Sequence, residues 1–370
     1  MFMHGGVAPP GSSEDVPSIA GMVKRLSGDH DITVYTVIGP GGNRATFRCG
    51  RAIVTFVPSR HDDHIITMVH RTLRAFRRDH RVRPYSLVHG FWALPGGLIA
   101  VLAGRLHGLP SVVSMLGGEA ACLPSIRYGN MSRLAPRIAT LWTARHATTL
   151  TFLTRYQRDA LRPFNFNRGE GIRVIPFGAE NSLLRPNNER SVPPPYRFIH
   201  IGHLNSVKDQ STLLRAFRGI SRQVDSHLTV IGLDTLHGAL RRLAADLGIE
   251  NRVTFKGFVP HEEIGHHLAD AHMLLHSSLY EGEGVVFAEA AASGVPICGT
   301  RVGLLSDLGD AMAVTVSPGD HTGLAEGALS LLGDPMRTER LTRQARSWAQ
   351  EHTADWTAAS FADLYRRHES

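Results

Sequence analysis

The chain has 370 residues, 42% hydrophobic and 20% charged, with a formal net charge of +7. At roughly 150 residues per domain this length allows two domains, each with its own core, and no low-complexity tract suggests a fibrous or disordered chain. The longest apolar run, Phe91–Gly104, is interrupted by Pro95, Gly96 and Gly97 and falls short of the ~20 residues that span a bilayer.

From the N-terminus, MFMHGGVAPPGSS has neither a basic n-region nor an apolar h-region and does not read as a signal peptide. MFMHGGV is a very short first strand or the remainder of a longer one. DITVYTVIG and RAIVTFVP are β-branched runs closed by Gly or Pro, and IITMVHRTLRAFRRD has helical periodicity. YSLVHGF reads as a strand, LPGGLIAVLAGRLHG as a helix stopped by glycine, and PSVVSMLGG as the next strand. ATTLTFLT, the helix RYQRDALRPF and the strand IRVIPFGAE continue the alternation. The triple proline Pro193–Pro195 is the expected linker.

The second half alternates in the same way: strand YRFIHIG, a helix from Asp209, strand HLTVIG, helix HGALRRLAADLG, strand RVTFKGF, helix HEEIGHHLADA and strand HMLLHSS. After a glycine-rich stretch come strand PICGT and several C-terminal helices. The expected domains are 1–190 and 196–350, with 351–370 as a helix returning toward the first. Such alternation implies an α/β fold of two Rossmann-like domains with parallel sheets, facing each other across a cleft that holds ligand at the strands' carboxyl ends.

Three loops concentrate chemistry there. In SSLYEGEGVVFAEAAASGVPI, Gly282 and Gly284 admit close approach of a ligand, and a helix from Val285 aims its N-terminus at the same place. Glu281 at the loop entrance and Glu289 one turn into the helix suit sugar hydroxyls; Glu283 is expected to be the exposed one. In GHLNSVKDQ, Lys208 precedes Asp209, a candidate N-cap, and a lysine beside a helix N-terminus suits a diphosphate. Only Lys24, Lys208 and Lys256 are lysines among 40 basic residues, so this one stands out. The third loop, SMLGGEAACLP, places Gly117, Gly118 and Glu119 after a strand. The plain alternatives are a small-residue helix with surface glutamates, a solvated loop lysine and a tight turn.

The run EGEGVVFAEAAASGVPI resembles the signature of retaining family 4 glycosyltransferases, usually EGFGLPVLEAMASGVPV. GHLNSVKDQSTLLRAF, VIGLD, VTFKGFVPHEEI, VIPFGAENSLLRP and HGFWALPGGLIAVLAGRLHGLPSVV extend the resemblance in family order. It implies the two-Rossmann GT-B fold and transfer of a hexose-type sugar from a UDP- or GDP-linked donor to a glycan, lipid-linked or small-molecule acceptor. Glu281 would contact the donor sugar, near the backbone of Gly282, Glu283, Gly284, Val285 and Val286. Glu289 would hold the ribose, Lys208 the diphosphate, and Gly257, Phe258 and Val259 would lie by the base. The resemblance makes Glu281, Lys208 and Glu119 the catalytic candidates and Gly117–Glu119 the acceptor-side loop. No metal or other cofactor is implied, because lysine and a helix N-terminus can stabilise the charge on the leaving group. The configuration of the donor would be retained, with attack on the leaving-group face.

The chain departs from the family at His203 after Gly202, where an arginine usually binds phosphate, at Leu116 in place of a histidine, and at Val286 in place of a proline. His203 and Leu116 motivate one alternative, a homologue that binds nucleotide sugar without turnover. A nucleotide-sugar epimerase of the same fold usually lacks the paired motifs, and three lysines scarcely offer a phosphorylase its pyridoxal lysine.

Arg71, Arg74, Arg78 and Arg81 recur on one helical face, either a solvated face or a surface for anionic lipid or a phosphorylated acceptor. Little aromatic interleaving argues against nucleic acid. The three scattered cysteines fit a reducing cytosol, and the expected setting is the cytoplasm, either free or peripheral at the inner face of the membrane. DHD (Asp29–Asp31) has the spacing of a manganese-binding DxD but precedes a strand, the wrong end for such a site. HDDH (His61–His64) reads as helix capping, His266 and His267 as a solvated face, and GPGGN (Gly39–Asn43) as a loop.

Overall fold

Short β-branched runs become strands because both faces of each sheet are covered, so apolar residues on both sides of a strand are buried. The computed structural model describes residues 1–3, 6–7, 16–36, 46–58, 64–184 and 192–368. GPGGN, most of HDDH and all of the proline–glycine run after MFMHGGV lie outside them.

The first sheet contains β1 (Phe2–Met3), β2 (Thr33–Thr36), β3 (Thr46–Cys49), β4 (Ala52–Phe56), β5 (Val88–Phe91), β6 (Ser111–Met115), β7 (Thr149–Phe152) and β8 (Ile172–Val174). Their spatial order is β3-β4-β2-β1-β5-β6-β7-β8. MFMHGGV does begin with a strand of two residues, which pairs in parallel with both β2 and β5. The sheet is not wholly parallel: β3 joins β4 antiparallel, an edge strand that alternation with helices does not announce.

The second sheet holds β9 (Tyr196–Ile201), β10 (Ser226–Ile231), β11 (Val253–Gly257), β12 (Met273–His276), β13 (Ile297–Thr300) and β14 (Val314–Val316), in the order β11-β10-β9-β12-β13-β14, all parallel. Adjacent residues of β9 enter opposite cores. Phe198 meets Phe217, Leu228 and Leu275, whereas Ile199 lies with Leu274, Phe287 and Ile297.

The chain divides into two units, Met1–Pro176 together with the segment from Ala354, and Phe177–Thr353. Helix Ala354–Arg366 belongs to the first unit, where Tyr365 Oη lies 2.6 Å from His89 Nδ1. The chain therefore leaves the first unit at Pro176, ahead of the triple proline. Gly178 explains the local packing: a Cβ there would come within 2.1 Å of Thr353 backbone.

Helix Ile65–Val82 presents its expected arginine face. Thr72 and Phe76 are buried, and Arg71, Arg74, Arg78 and Arg81 are exposed. Among the described residues no helix is long and apolar enough to cross a membrane.

Candidate active site

In the second sheet the connections switch direction between β9 and β12, and open α/β sheets bind ligands at such a point, at the strands' carboxyl ends. The loop after β9 begins at Gly202. A Cβ on the neighbouring Gly232 would lie 2.0 Å from the Gly202 carbonyl, so only glycine lets the ends of β9 and β10 come this close. The loop ends at Asp209, whose backbone is left-handed (φ 46°), a conformation aspartate tolerates. Its side chain accepts the Thr212 N–H and caps helix Gln210–Ser221, as expected. This cap fixes Lys208 at the start of a helix.

The loop after β12 is stitched to the first by backbone. Leu279 N–H donates to the Val207 carbonyl at 2.8 Å, and Ser277 Oγ donates to that of Lys208 at 2.8 Å. Lys208 Nζ then reaches Glu281 Oε1 at 2.5 Å. The same oxygen receives Ser278 Oγ at 2.6 Å and lies 3.2 Å from His276 Nε2. Burial alone would raise the Glu281 carboxyl; the Lys208 charge and the His276 hydrogen bond outweigh it and hold the group well below the usual carboxylate range. Burial lowers His276 and brings His200, 5.8 Å away ring to ring, down to about 3. A neutral His276 donates through Nε2–H, so the ionised Glu281 rests on a neutral histidine and faces a lysine.

Gly282, Glu283 and Gly284 complete the loop, and Gly284 is the left-handed residue (φ 82°) from which helix Val285–Ala292 starts. The Phe287 ring fills the place of a Cβ there, 2.4 Å from its ideal position. Val285 and Val286 form the first turn. Glu289 is nearly buried, and its Oε1 is 2.7 Å from His261 Nε2.

Glu283 overturns the expected exposure: it is 2% exposed. Its Oε2 accepts the Phe177 N–H at 3.0 Å, and Oε1 has no partner among the described residues. Burial raises its pKa well above the ordinary value, with the Phe177 amide opposing and the Glu289 charge assisting. Glu283 is thus a buried acid whose protonated form is favoured, tied to the residue at which the chain enters the unit.

Gly257 ends β11 in a left-handed conformation (φ 74°) with open space where a Cβ would be, and Phe258 beside it is 50% exposed. Val259 is half-buried. His203 is exposed, and partial burial of its ring together with the Lys208 charge lowers its pKa, so it is uncharged at neutral pH.

In the first unit, Glu119 turns inward. Oε1 accepts amides from Ala93 at 3.2 Å and Leu116 at 3.1 Å, and Oε2 accepts that of Gly117 at 2.6 Å. Burial raises its pKa, and these amides counter the rise. Glu119 therefore organises the loops after β5 and β6. Gly118 packs on Tyr128, whose ring lies 2.7 Å from an ideal Cβ, and the Trp92 indole nitrogen is 3.6 Å from that of Gly117. Trp92 itself is left-handed (φ 59°), strain that such loops store at functional sites.

Among the described residues, the other acidic and histidine motifs bring no ligand set together. Asp31 pairs with Arg83 ahead of β2, His266 is exposed and His267 half-buried. Among the described residues no three His, Cys, Asp or Glu side chains cluster as metal ligands do.

The description "Glycosyl transferases group 1" matches residues 185–348, and "Glycosyl transferase 4-like domain" matches residues 16–178. This chain belongs to that glycosyltransferase family.

Among relatives of the glycosyltransferase, N-acetyl-alpha-D-glucosaminyl L-malate synthase of Bacillus anthracis is 33% identical over 283 residues, 72% of this chain and 70% of the relative. The GDP-mannose-dependent alpha-(1-6)-phosphatidylinositol monomannoside mannosyltransferase of Mycolicibacterium smegmatis is 27% identical over 280 residues, 70% of each. The solved sucrose-phosphate synthase of Thermosynechococcus elongatus superposes with a TM-score of 0.85 at 19% identity, covering 99% of this chain and 98% of that one. Two Rossmann-like units and this likeness make the fold GT-B.

Sequence reasoning on the glycosyltransferase missed His276, Ser278 and His261. His276 is the last residue of a strand and Ser278 lies two further on; no periodicity marks either as a neighbour of Glu281. His261 reads as an ordinary helix start, and only the packing of its helix in the same core as helix Val285–Ala292 brings it to Glu289.

Proposed function

We propose that this glycosyltransferase moves a hexose-type sugar from a nucleoside-diphosphate donor to a glycan, lipid-linked or small-molecule acceptor, with retention at the anomeric carbon and without a metal. The observation that carries this reading is the Lys208–Glu281 pair at the carboxyl ends of β9 and β12, beside the N-terminus of helix Val285–Ala292.

An ammonium has three donors; one is engaged by Glu281, and two remain for the diphosphate. Glu281, kept ionised, accepts from donor-sugar hydroxyls, and Glu289 accepts from the ribose. Gly257, Phe258 and Val259 lie by the base. As the bond from the anomeric carbon to the diphosphate oxygen breaks, Lys208 and the helix-start amides offset the charge on the leaving group. The acceptor hydroxyl bonds to the same carbon on the same face, and its proton passes to the departing oxygen. Glu119 acts as a positioning residue for the acceptor-side loop Gly117–Gly118.

The arginine face supports peripheral contact with an anionic membrane. A groove of about 820 Å³ runs over Val57 and Pro58 and is lined by Arg71, Arg74, Arg77, Arg78 and Arg81. Arg78 is paired with Asp79 at 2.5 Å, whereas Arg74, Arg77 and Arg81 carry no ion pair among the described residues.

The test is binding of UDP, GDP and ADP by thermal shift, followed by transfer from the matching sugars in EDTA, with NMR of the product's anomeric configuration. Inversion, or loss of transfer in EDTA, overturns those parts of the reading. Nucleotide binding without transfer to lipid or glycan acceptors favours the non-catalytic homologue suggested by the uncharged His203.

A further inference from the structure

His261 stands at the junction of two parts of the donor site. It is the first residue of helix His261–Asp270 and follows Gly257–Val259 with only Pro260 between. Pro260 is extended (φ −56°, ψ 143°), which turns the histidine toward helix Val285–Ala292. There Nε2 meets Glu289 Oε1 at 2.7 Å, with the histidine side chain 34% exposed and the carboxylate 8%. Glu289 Oε2 has no hydrogen-bond partner among the described residues.

The charges that act most strongly on His261 are all carboxylates. Glu289 faces His261 from its own helix, Glu180 from the segment before Asn181–Leu184, and Glu262 from the histidine's own helix. Glu283 lies close enough for the Glu289 charge to help raise its pKa, and its burial disfavours a further charge there. A nucleoside diphosphate brings further negative charge to the same loops.

We propose that His261 is a positioning residue of the donor site, which fixes Glu289 through Oε1, leaves Oε2 for a ribose hydroxyl, and supplies the cation that makes this acidic corner acceptable to a nucleoside diphosphate. The inference rests on the reading of Glu289 as the ribose contact. Without the histidine, Glu289 would be free to rotate, and its charge would oppose the diphosphate. The hydrogen bond His261 donates to Glu289 raises the pKa of His261, burial opposes the rise, and the neighbouring carboxylates add to it. The ring therefore stays charged to higher pH than an ordinary histidine. Nucleotide affinity should fall as the pH rises through that range.

Calorimetry with UDP or GDP, whichever binds more tightly, and with its 2′,3′-dideoxy counterpart tests this between about pH 5.5 and 8.5, around the ordinary histidine range. The wild type should favour the ribonucleotide by on the order of tenfold, the worth of one good hydrogen bond to a charged group, and should bind it more weakly as pH rises. His261→Ala should lose most of both effects. His261→Gln, whose amide can donate to Glu289, should recover the ribose preference without the pH dependence. A His261→Ala protein that keeps both effects, while Glu289→Gln loses the preference, overturns the inference and leaves the site reading standing. A preference that survives Glu289→Gln overturns both. Thermal melts of each variant separate these outcomes from misfolding.

Discussion

Lys208 and Glu281 lie 73 positions apart in the chain and 2.5 Å apart in space. Their side chains are 19% and 12% exposed, and Ser278 and His276 support the carboxylate from behind. A shielded ion pair at a sheet's switch point is a poor investment in stability, because desolvation offsets most of the attraction. In the proposed mechanism the pair holds a cation and an acceptor ready for the nucleotide sugar.

Lys208→Ala should reduce single-turnover transfer by about 10²- to 10³-fold, the usual effect of removing one donor to a developing negative charge. It should also cost about 1–3 kcal/mol of stability by leaving Glu281 partly unsatisfied. Rapid-quench kinetics and urea denaturation measure the two effects, and unchanged kinetics would remove Lys208 from the site.

Glu283 predicts a pH effect with a definite sign. Its folded-state pKa is raised by burial, so its contribution is fully present below the unfolded carboxyl value, near 4.5, and is lost as pH rises toward the folded one. Glu283→Gln should therefore melt at a higher temperature than the wild type at neutral and alkaline pH and lose that advantage at acidic pH. Calorimetric melts across that window decide it.

Gly284→Ala should be damaging despite adding one methyl. The position needs a left-handed backbone, and the methyl would meet the Phe287 ring at 2.4 Å. A cost of about 1–3 kcal/mol is expected for the strain, with weaker nucleotide binding as the helix start shifts. Equal affinity and stability in the alanine variant would contradict the geometry.

Glu119→Ala removes the acceptor for the amides of Ala93, Leu116 and Gly117. The loop should loosen, raising the KM for the acceptor, while the Kd for nucleotide, set in the other unit, stays at the wild-type value. A change confined to nucleotide binding would refute this division of labour.

The arginine groove should bind phosphatidylglycerol vesicles more than phosphatidylcholine ones, and less at high salt. Replacing Arg74 and Arg81 by Gln should cost about 2 kcal/mol, on the order of 30-fold, at roughly 1 kcal/mol per arginine. Equal binding to both vesicle types would show a merely solvated face.

The parallel strands and the glycine turns at their ends were legible because each is set by a short local pattern: β-branched runs, then Gly or Asn, then helical periodicity. The hairpin strand β3 and the helix Leu134–His146 were not, since neither has a pattern that separates it from its surroundings. Exposure of Glu283 was misjudged for a related reason. A charged residue between glycines looks like a loop tip, and nothing local reveals that Phe177, 106 positions away, offers its amide there.

Sequence by itself determined the fold class and the family, and singled out the loops proposed to carry the chemistry, because strand–helix alternation and motif spacing are short-range properties of the chain. Only the tertiary structure decided which oxygen meets which donor. It set Lys208 and His276 on Glu281, His261 on Glu289, and Glu119 on its own backbone rather than at an open surface. Those pairings depend on the order of strands in the sheet and on how far each side chain is removed from water. Both are fixed only when the whole sheet assembles.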